Sequence, residues 1–586
     1  MLPPANLAHM KVLSPRRNST AATDLDQLLD EQLAHFGLDP ATDFAQTLRT
    51  IAEKLYTAQS DLQHLCHLTA TSIHSLSAPD KISHFNAKKF LSFQLAKLLD
   101  TLQNPNRQSY QALNYAPSTI AAKGPYAVFD NVAAIFSANP VITRSATYIY
   151  ACAEWIEDAF QGKELLLEIY SRLLNPTSIA LANQIVELEC AHLAREYFAW
   201  NFNSGMAAID ATLSHLLGRD DILIVSRNIY GGAFQLIHDW FAKPGNLAVA
   251  VETFDGTSDQ DFLACLAATQ LKYADRLAAG RKIYVYLESP SNPHGDILDV
   301  PAICSAAHAH HCRVMLDSTV ATPFLARPLI HPDESARPDF LIHSYTKDLS
   351  GGGSVIAGVV LARTRDMFAP KGTPASANGG VAWDQTLFWN VYYIKGAFLN
   401  ADAAFDVLQG LRTLDTRMLQ KCINARVLAK FLAAHPQITV RGHGLLEDST
   451  LFLGLPAPLF TADFGQLPKI AFQRFFDNLS PTFGHMISLG QSNTIIACPA
   501  LTTHSELSES AQRQAGLTPT TVRFAVGDED CLDLLRHLTA TAVLTLDPQL
   551  PGFSQKFPTP SQAAHLYRTT YLDIHSKYIH HRTTPT

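Results

Sequence analysis

Pro338-Asp-Phe-Leu-Ile-His-Ser-Tyr-Thr-Lys347, running into Asp348-Leu-Ser-Gly-Gly-Gly-Ser354, is the stretch whose reading decides the fold. Phe340 to Ile342 is a short apolar run of the kind that fills a strand buried on both faces. Such a strand ends by delivering Ser344, Thr346 and Lys347 together at its carboxyl end. Open α/β sheets bind their ligands there. Hydroxyls at that place can hold a phosphate, and a desolvated lysine can form a Schiff base. The plain alternative is a surface lysine entering a glycine turn.

Upstream, Arg313-Val-Met-Leu-Asp317-Ser-Thr-Val-Ala-Thr-Pro323 places a carboxylate at the end of a second apolar run, 30 residues before Lys347. An aspartate there can pair with the protonated ring nitrogen of pyridoxal phosphate, or simply cap the next turn. Further runs at Ile222 to Val225, Ala248 to Val251 and Ile283 to Leu287 alternate with amphipathic segments. That alternation predicts an α/β region with a mostly parallel sheet. Asn203-Ser204-Gly205-Met206 opens an apolar helical stretch whose first N–H groups can bind an anion, and the glycine permits close approach. Tyr230-Gly-Gly232 follows the Ile222 strand and offers an aromatic ring suited to stacking on a pyridine.

The remaining sequence bounds the class. The chain has 586 residues, 47% hydrophobic and 17% charged, so it can bury a large core and should hold several domains. A net charge of −8 leaves no basic field for nucleic acid or an anionic membrane. Nine scattered cysteines without a C-x-x-C pair fit a reduced, intracellular protein. The stretch MLPPANLAHMKVLSPRRNST lacks the apolar core of a secretory signal, and no window reaches about 18 uninterrupted apolar residues, so a cytoplasmic protein is expected. Apolar residues at helical spacing from Asp24 to Asn104 predict a helical N-terminal unit over 1–110, with breaks at Gly37 and Pro40, at Ser75 to Pro79 and at Asn104-Pro105-Asn106. An N-terminal arm is expected over 111–170, a large domain over 171–398, a helix-rich smaller domain over 399–548 and a polar tail over 549–586. The His- and Thr-rich end, IHHRTTPT, reads as an exposed terminus more readily than as a metal site.

From about Ile169 to about Leu544 the chain resembles the pyridoxal-phosphate enzymes of cysteine and methionine metabolism, the trans-sulfuration family. The motifs that carry the resemblance fall in one order. They are Tyr170-Ser-Arg172-x-x-Asn175-Pro-Thr, Ser204-Gly-Met-Ala-Ala-Ile, Tyr230-Gly-Gly, Glu288-Ser-Pro-Ser-Asn292-Pro, Asp317-x-Thr-x-Ala-Thr-Pro, Ser344-x-Thr-Lys347, Gly410-Leu-Arg-Thr-Leu414, Ser488-Leu-Gly490, Thr503-His504-Ser505 and Val522-Arg523-x-x-Val-Gly527.

The resemblance implies a fold-type-I, aspartate-aminotransferase-like α/β enzyme with pyridoxal 5'-phosphate as cofactor and no metal. It implies that Lys347 is the Schiff-base lysine and proton shuttle, that Asp317 holds the pyridine nitrogen and that Tyr230 stacks on the ring. Gly205, Met206, Ser344 and Thr346 hold the phosphate, completed by Tyr170 and Arg172 of a neighbouring subunit in a homodimer or homotetramer. Asn292 approaches the phenolic oxygen, and Arg523 with Ser488 binds the substrate carboxylate, a task that suits a planar guanidinium. Two departures bear on substrate. Gly232 stands where methionine γ-lyases typically carry cysteine, and Ile487 stands where cystathionine-handling members usually carry glutamate. Replacement at the γ carbon of an O-acylated homoserine is the expected reaction, with γ- or β-elimination second. A non-catalytic scaffold for the helical extension is the expectation of another class, and the absence of G-x-x-x-x-G-K-[ST] speaks against a nucleotide-binding loop.

Overall fold

The computed structural model describes residues 21–72, 77–123, 137–149, 156, 160, 170–446, 454–502 and 516–583. Contacts divide the chain into a unit ending at Leu174 and a unit starting at Asn175.

In the first unit, α1 (Leu25–His35), α2 (Asp43–Ser72) and α3 (Ala78–Ala112) follow one another. The Asp24 side chain caps α1 by accepting the Gln27 N–H at 2.9 Å. Leu28, Leu29 and Tyr56 pack α1 on α2, and Gln32 Nε2 donates to the Tyr56 hydroxyl at 2.8 Å. The chain leaves α1 through Gly37, at φ +66°, a left-handed conformation that glycine adopts without strain. The break expected at Asn104-Pro105-Asn106 does not occur, because α3 continues through Pro105 to Ala112. A proline removes one backbone donor but leaves the turns on either side free to continue a long helix. Most of the arm expected over 111–170 lies outside the described residues.

The second unit is built on a seven-stranded, mostly parallel sheet. Its strands are β1 (Tyr197–Phe202), β2 (Ile222–Ser226), β3 (Ala250–Phe254), β4 (Ile283–Glu288), β5 (Arg313–Asp317), β6 (Phe340–His343) and β7 (Gly358–Arg363), in spatial order β1-β7-β6-β5-β4-β2-β3. Pairs among β2 to β6 are parallel, whereas β7 runs antiparallel to both of its neighbours. Every residue of β2, β4 and β6 is buried, as a sheet covered on both faces requires. Helices pack against it, among them α4 (Pro176–Cys190) on β1 and α5 (Gly205–Leu216) on β6 and β7. The register sets Glu288 of β4 beside Asp317 of β5 and Asp317 beside Ile342 of β6. Three strand ends therefore present their following residues along one edge.

Two helices, α6 (Ala401–Leu411) and α7 (Leu414–Ala433), lead to a second sheet of β8 (Thr439–Arg441), β9 (Leu459–Asp463), β10 (Gly484–His485), β11 (Ile495–Ala497) and β12 (Thr521–Ala525). Its order is β10-β11-β12-β9-β8, and α8 (Lys469–Asn478) and α9 (Cys531–Thr545) complete the layer. Among the described residues no helix is long and apolar enough to cross a membrane.

The polar tail expected over 549–586 is corrected by the structure. Pro560–Thr583 forms α10, which packs against α7. Ala563 and Ile574 are buried, Arg426 of α7 pairs with Asp573 at 2.9 Å, and Tyr578 stacks on Phe324 with centroids 5.7 Å apart. The segment is helical because a narrow stripe that includes Ala563, Thr570 and Ile574 finds a partner, although most of its other positions are exposed. Ile574→Ala should therefore cost about 2–4 kcal/mol, read as a fall in the urea midpoint, where an exposed tail would change by less than about 0.5 kcal/mol.

Candidate active site

A cavity of about 220 Å³ opens at the carboxyl edge of the large sheet, and ten of the residues expected at the site line it. These are Gly205, Met206, Tyr230, Asn292, Asp317, Ser344, Thr346, Lys347, Ser488 and Arg523. Ser204 caps α5, its hydroxyl accepting the Ala207 N–H at 3.0 Å, which leaves the N–H groups of the first turn at the cavity wall. A Cβ added at Gly205 would lie 2.8 Å from the Ser344 Cβ, so the helix end and the end of β6 meet in a cradle that only glycine permits.

Asp317 is buried at the end of β5. Its Oδ1 accepts the Thr319 N–H at 3.0 Å and the Thr319 hydroxyl at 2.6 Å, and Thr319 Oγ1 in turn accepts the Ser344 N–H at 2.8 Å. Burial pushes the Asp317 carboxyl above its ordinary range, and the Thr319 donors partly oppose this. A cationic partner at the carboxyl would restore its charge. Thr346 also lines the cavity, but its hydroxyl is engaged with the Ala357 carbonyl at 3.2 Å and the Ala357 N–H at 3.0 Å.

Lys347 Nζ donates to the Ser488 hydroxyl at 2.9 Å. Burial first, and then the positive charge of Arg523, lowers its pKa from the usual lysine value, which favours a neutral, nucleophilic amine. Arg523, on β12, is buried and donates from Nη2 to the Ser488 carbonyl at 2.6 Å and from Nη1 to Asn292 Oδ1 at 3.1 Å. Among the described residues its Nε has no partner and no carboxylate pairs with it. Burial lowers its pKa to about 10. A buried cation without a counter-ion is a costly arrangement in a folded protein and is relieved by an anionic ligand.

Two features that sequence reasoning missed support Lys347. Gly490, at φ +79°, lets the loop after Ser488 pass so close that an added Cβ would be 2.7 Å from the Lys347 Cα. Asp348 forms a buried ion pair with Lys421 Nζ at 2.6 Å, and Lys421 also donates to the Gln491 carbonyl at 2.7 Å. One lysine of α7 thus ties the residue after Lys347 to the loop after Ser488. The pairing spans 73 residues of sequence, and no local pattern marks it. Tyr170 and Arg172 belong to the first unit, where Tyr170 bridges Thr147 and the Arg172 guanidinium lies 5.7 Å from the Tyr170 ring centroid. Thr503-His504-Ser505 lies outside the described residues.

The residues present fit a phosphorylated pyridine cofactor: an anion cradle at a helix end, a buried carboxyl at a strand end and a partly desolvated lysine between them. Comparison with known proteins agrees. The profile of the family described as Cys/Met metabolism PLP-dependent enzyme matches residues 129–542. L-methionine gamma-lyase of Pseudomonas deceptionensis is 30% identical over 441 residues, covering 72% of this chain and 96% of that protein. Cystathionine beta-lyase of Lactococcus lactis subsp. cremoris is 29% identical over 379 residues, covering 63% and 87%. Among solved structures, a Campylobacter jejuni protein described as an O-acetylhomoserine (thiol)-lyase, containing N'-pyridoxyl-lysine-5'-monophosphate, aligns with TM-score 0.58 and 28% identity over 69% of this chain and 95% of that one.

Lys421→Met removes one half of a buried ion pair and should lower stability by about 3–5 kcal/mol. Adding Asp348→Asn should recover most of that loss in the double mutant, measured as urea midpoints in a double-mutant cycle.

Proposed function

Since the chain belongs to the Cys/Met metabolism family of pyridoxal-phosphate-dependent enzymes, we propose that it exchanges the γ substituent of a small amino acid, with replacement on an O-acylated homoserine as its main reaction. The observation that carries this reading is the convergence of Lys347, Asp317 and the unpaired Arg523 on one cavity.

The cofactor, when bound, supplies an electron sink for negative charge at the substrate's α carbon. In this reading Asp317 faces the ring nitrogen, Tyr230 the ring and Asn292 the phenolic oxygen. Gly205, Met206, Ser344 and, once its hydroxyl turns away from the Ala357 carbonyl, Thr346 would hold the phosphate, with Tyr170 and Arg172 supplied by a neighbouring subunit. Lys347 Nζ would carry the cofactor and, once released, would take up the α proton; only after passing that proton on would the neutral amine take up one from the β carbon. Its pKa, lowered by burial and by the Arg523 charge, makes the amine give up its proton more readily than an ordinary lysine does. Arg523 holds the substrate carboxylate, and Ser488, within reach of both Lys347 and Arg523, keeps the two apart and oriented. The reading takes the active protein to be a cytoplasmic homodimer or homotetramer.

Two positions support an uncharged γ substituent. Ile487 lines the cavity with its side chain exposed, and the carboxylates that line it, Glu288 and Asp317, are both engaged with donors of their own. At Gly232 an added Cβ would lie 2.7 Å from the Tyr230 ring and 2.9 Å from the Met206 sulfur, so the cysteine typical of methionine γ-lyases has no room in this arrangement. Elimination to a 2-oxo acid and ammonia is the second reading, favoured by the methionine γ-lyases among the relatives.

The subunit-sharing part of the reading predicts complementation. Arg172→Ala and Lys347→Ala should each be inactive alone, and hybrid oligomers should regain activity, because one composite site then carries neither lesion. No recovery despite demonstrated subunit exchange would remove Arg172 from a shared site. For substrate choice, kcat/KM for O-acetylhomoserine should exceed that for cystathionine by at least about tenfold, roughly 1.4 kcal/mol, and Ile487→Glu should narrow the gap. Equal or better use of cystathionine by the unmodified enzyme would show that position 487 does not select the substrate.

A further inference from the structure

Glu288 has no part in the reaction proposed above, yet it touches both residues assigned to the face and the phenolic oxygen of the ring. It ends β4, is buried and lines the cavity. Its Oε2 accepts the Tyr230 N–H at 2.5 Å, and its Oε1 accepts the Asn292 N–H at 3.0 Å. Its own N–H donates to the Ser226 hydroxyl at the end of β2, at 3.1 Å. One side chain therefore joins the turn after β2 to the turn after β4.

The position is an expensive one for a carboxyl group. Asp317 is its direct neighbour in the register, and burial together with the Asp317 charge pushes the Glu288 carboxyl well above its usual range. A glutamine would fill the same space without that penalty. It would also have a single acceptor oxygen, and its amide nitrogen would meet a backbone N–H donor to donor. Only a carboxylate accepts on both sides. The chain thus tolerates a second buried carboxyl beside Asp317 in exchange for a two-way acceptor between Tyr230 and Asn292.

We propose that Glu288 is a positioning residue whose two carboxylate oxygens fix the backbone of Tyr230 and Asn292 as one unit, so that the ring-stacking phenol and the group facing the ring oxygen are set together. The inference rests on the roles given to Tyr230 and Asn292 above, and it adds the side chain that sets them from behind. Loss of this latch acts on how the cofactor is held. Lys347 lies on the segment after β6, with its own partner in the Ser488 hydroxyl, and keeps its chemistry.

The test is titration of cofactor-free protein with pyridoxal phosphate, following visible absorption and visible circular dichroism. Glu288→Gln should still develop the absorption band of the lysine-bound cofactor. Its Kd should rise at least about tenfold and its dichroism per bound cofactor should fall at least about twofold. Glu288→Asp, which keeps both acceptor oxygens, should recover part of both. A Glu288→Gln protein matching the unmodified one in Kd and dichroism overturns the proposal, because a purely structural carboxyl would alter neither. Should the variants not fold, amide hydrogen exchange on the unmodified, cofactor-free protein decides it. The Tyr230 and Asn292 amides should be protected to a similar degree, and free-loop exchange at either one contradicts the latch. Failure of the unmodified protein to take up the cofactor at all would overturn the proposed function instead, and the exchange result would still stand.

Discussion

The parallel pairing of β4, β5 and β6 is the constraint on which the site depends. Side-chain direction alternates along a strand, so a slip of one residue would turn Asp317 away from the cavity and carry Glu288 out of reach of Tyr230. The buried runs Ile283–Glu288 and Phe340–His343 fix that register, because every side chain in both strands is covered. Chemistry at the strand ends is thereby positioned by packing in the strand bodies, and the polar groups themselves need supply little of the stability. Glu288 and Ser344 are each held in addition by a partner in the turn next door, and Asp317 by the Thr319 donors of its own turn.

The second half of the site comes from the smaller sheet, and the seam between the two is polar. Arg523 reaches Asn292 and the Ser488 carbonyl, Ser488 reaches Lys347, and Lys421 locks Asp348 to Gln491. Charges buried at such a seam are costly unless paired. Lys421 and Asp348 pair with each other, whereas Lys347 and Arg523 have no carboxylate partner among the described residues, and in the proposed function an anionic substrate group completes the network at Arg523. The substrate would then finish an electrostatic arrangement that the protein leaves incomplete.

Much of the fold was legible because fully buried parallel strands read as short, continuous apolar runs. Ile222 to Val225, Ile283 to Leu287, Val314 to Leu316 and Phe340 to Ile342 all fall within strands. The run expected at Ala248 to Val251 is displaced, since β3 spans Ala250–Phe254 at the sheet edge, where most of its residues are only partly covered and the apolar signal is weak. Helix α10 escaped notice because its buried stripe is thin, with Ala563 and Ile574 spaced among His and Thr. At the site, residues at strand ends were legible one by one. The Asp348–Lys421 pair and the bond from Glu288 to Tyr230 were not, because each joins segments far apart in sequence whose partners are fixed only by the tertiary fold.

The proposed chemistry requires Lys347 to carry the cofactor in this cavity. Borohydride reduction of the cofactor-loaded protein, followed by proteolysis and mass spectrometry, locates the attachment. A single phosphopyridoxyl group is expected, on the peptide that contains Lys347 and on that lysine. Attachment at another lysine, or no stable attachment in protein that has bound the cofactor, would contradict it.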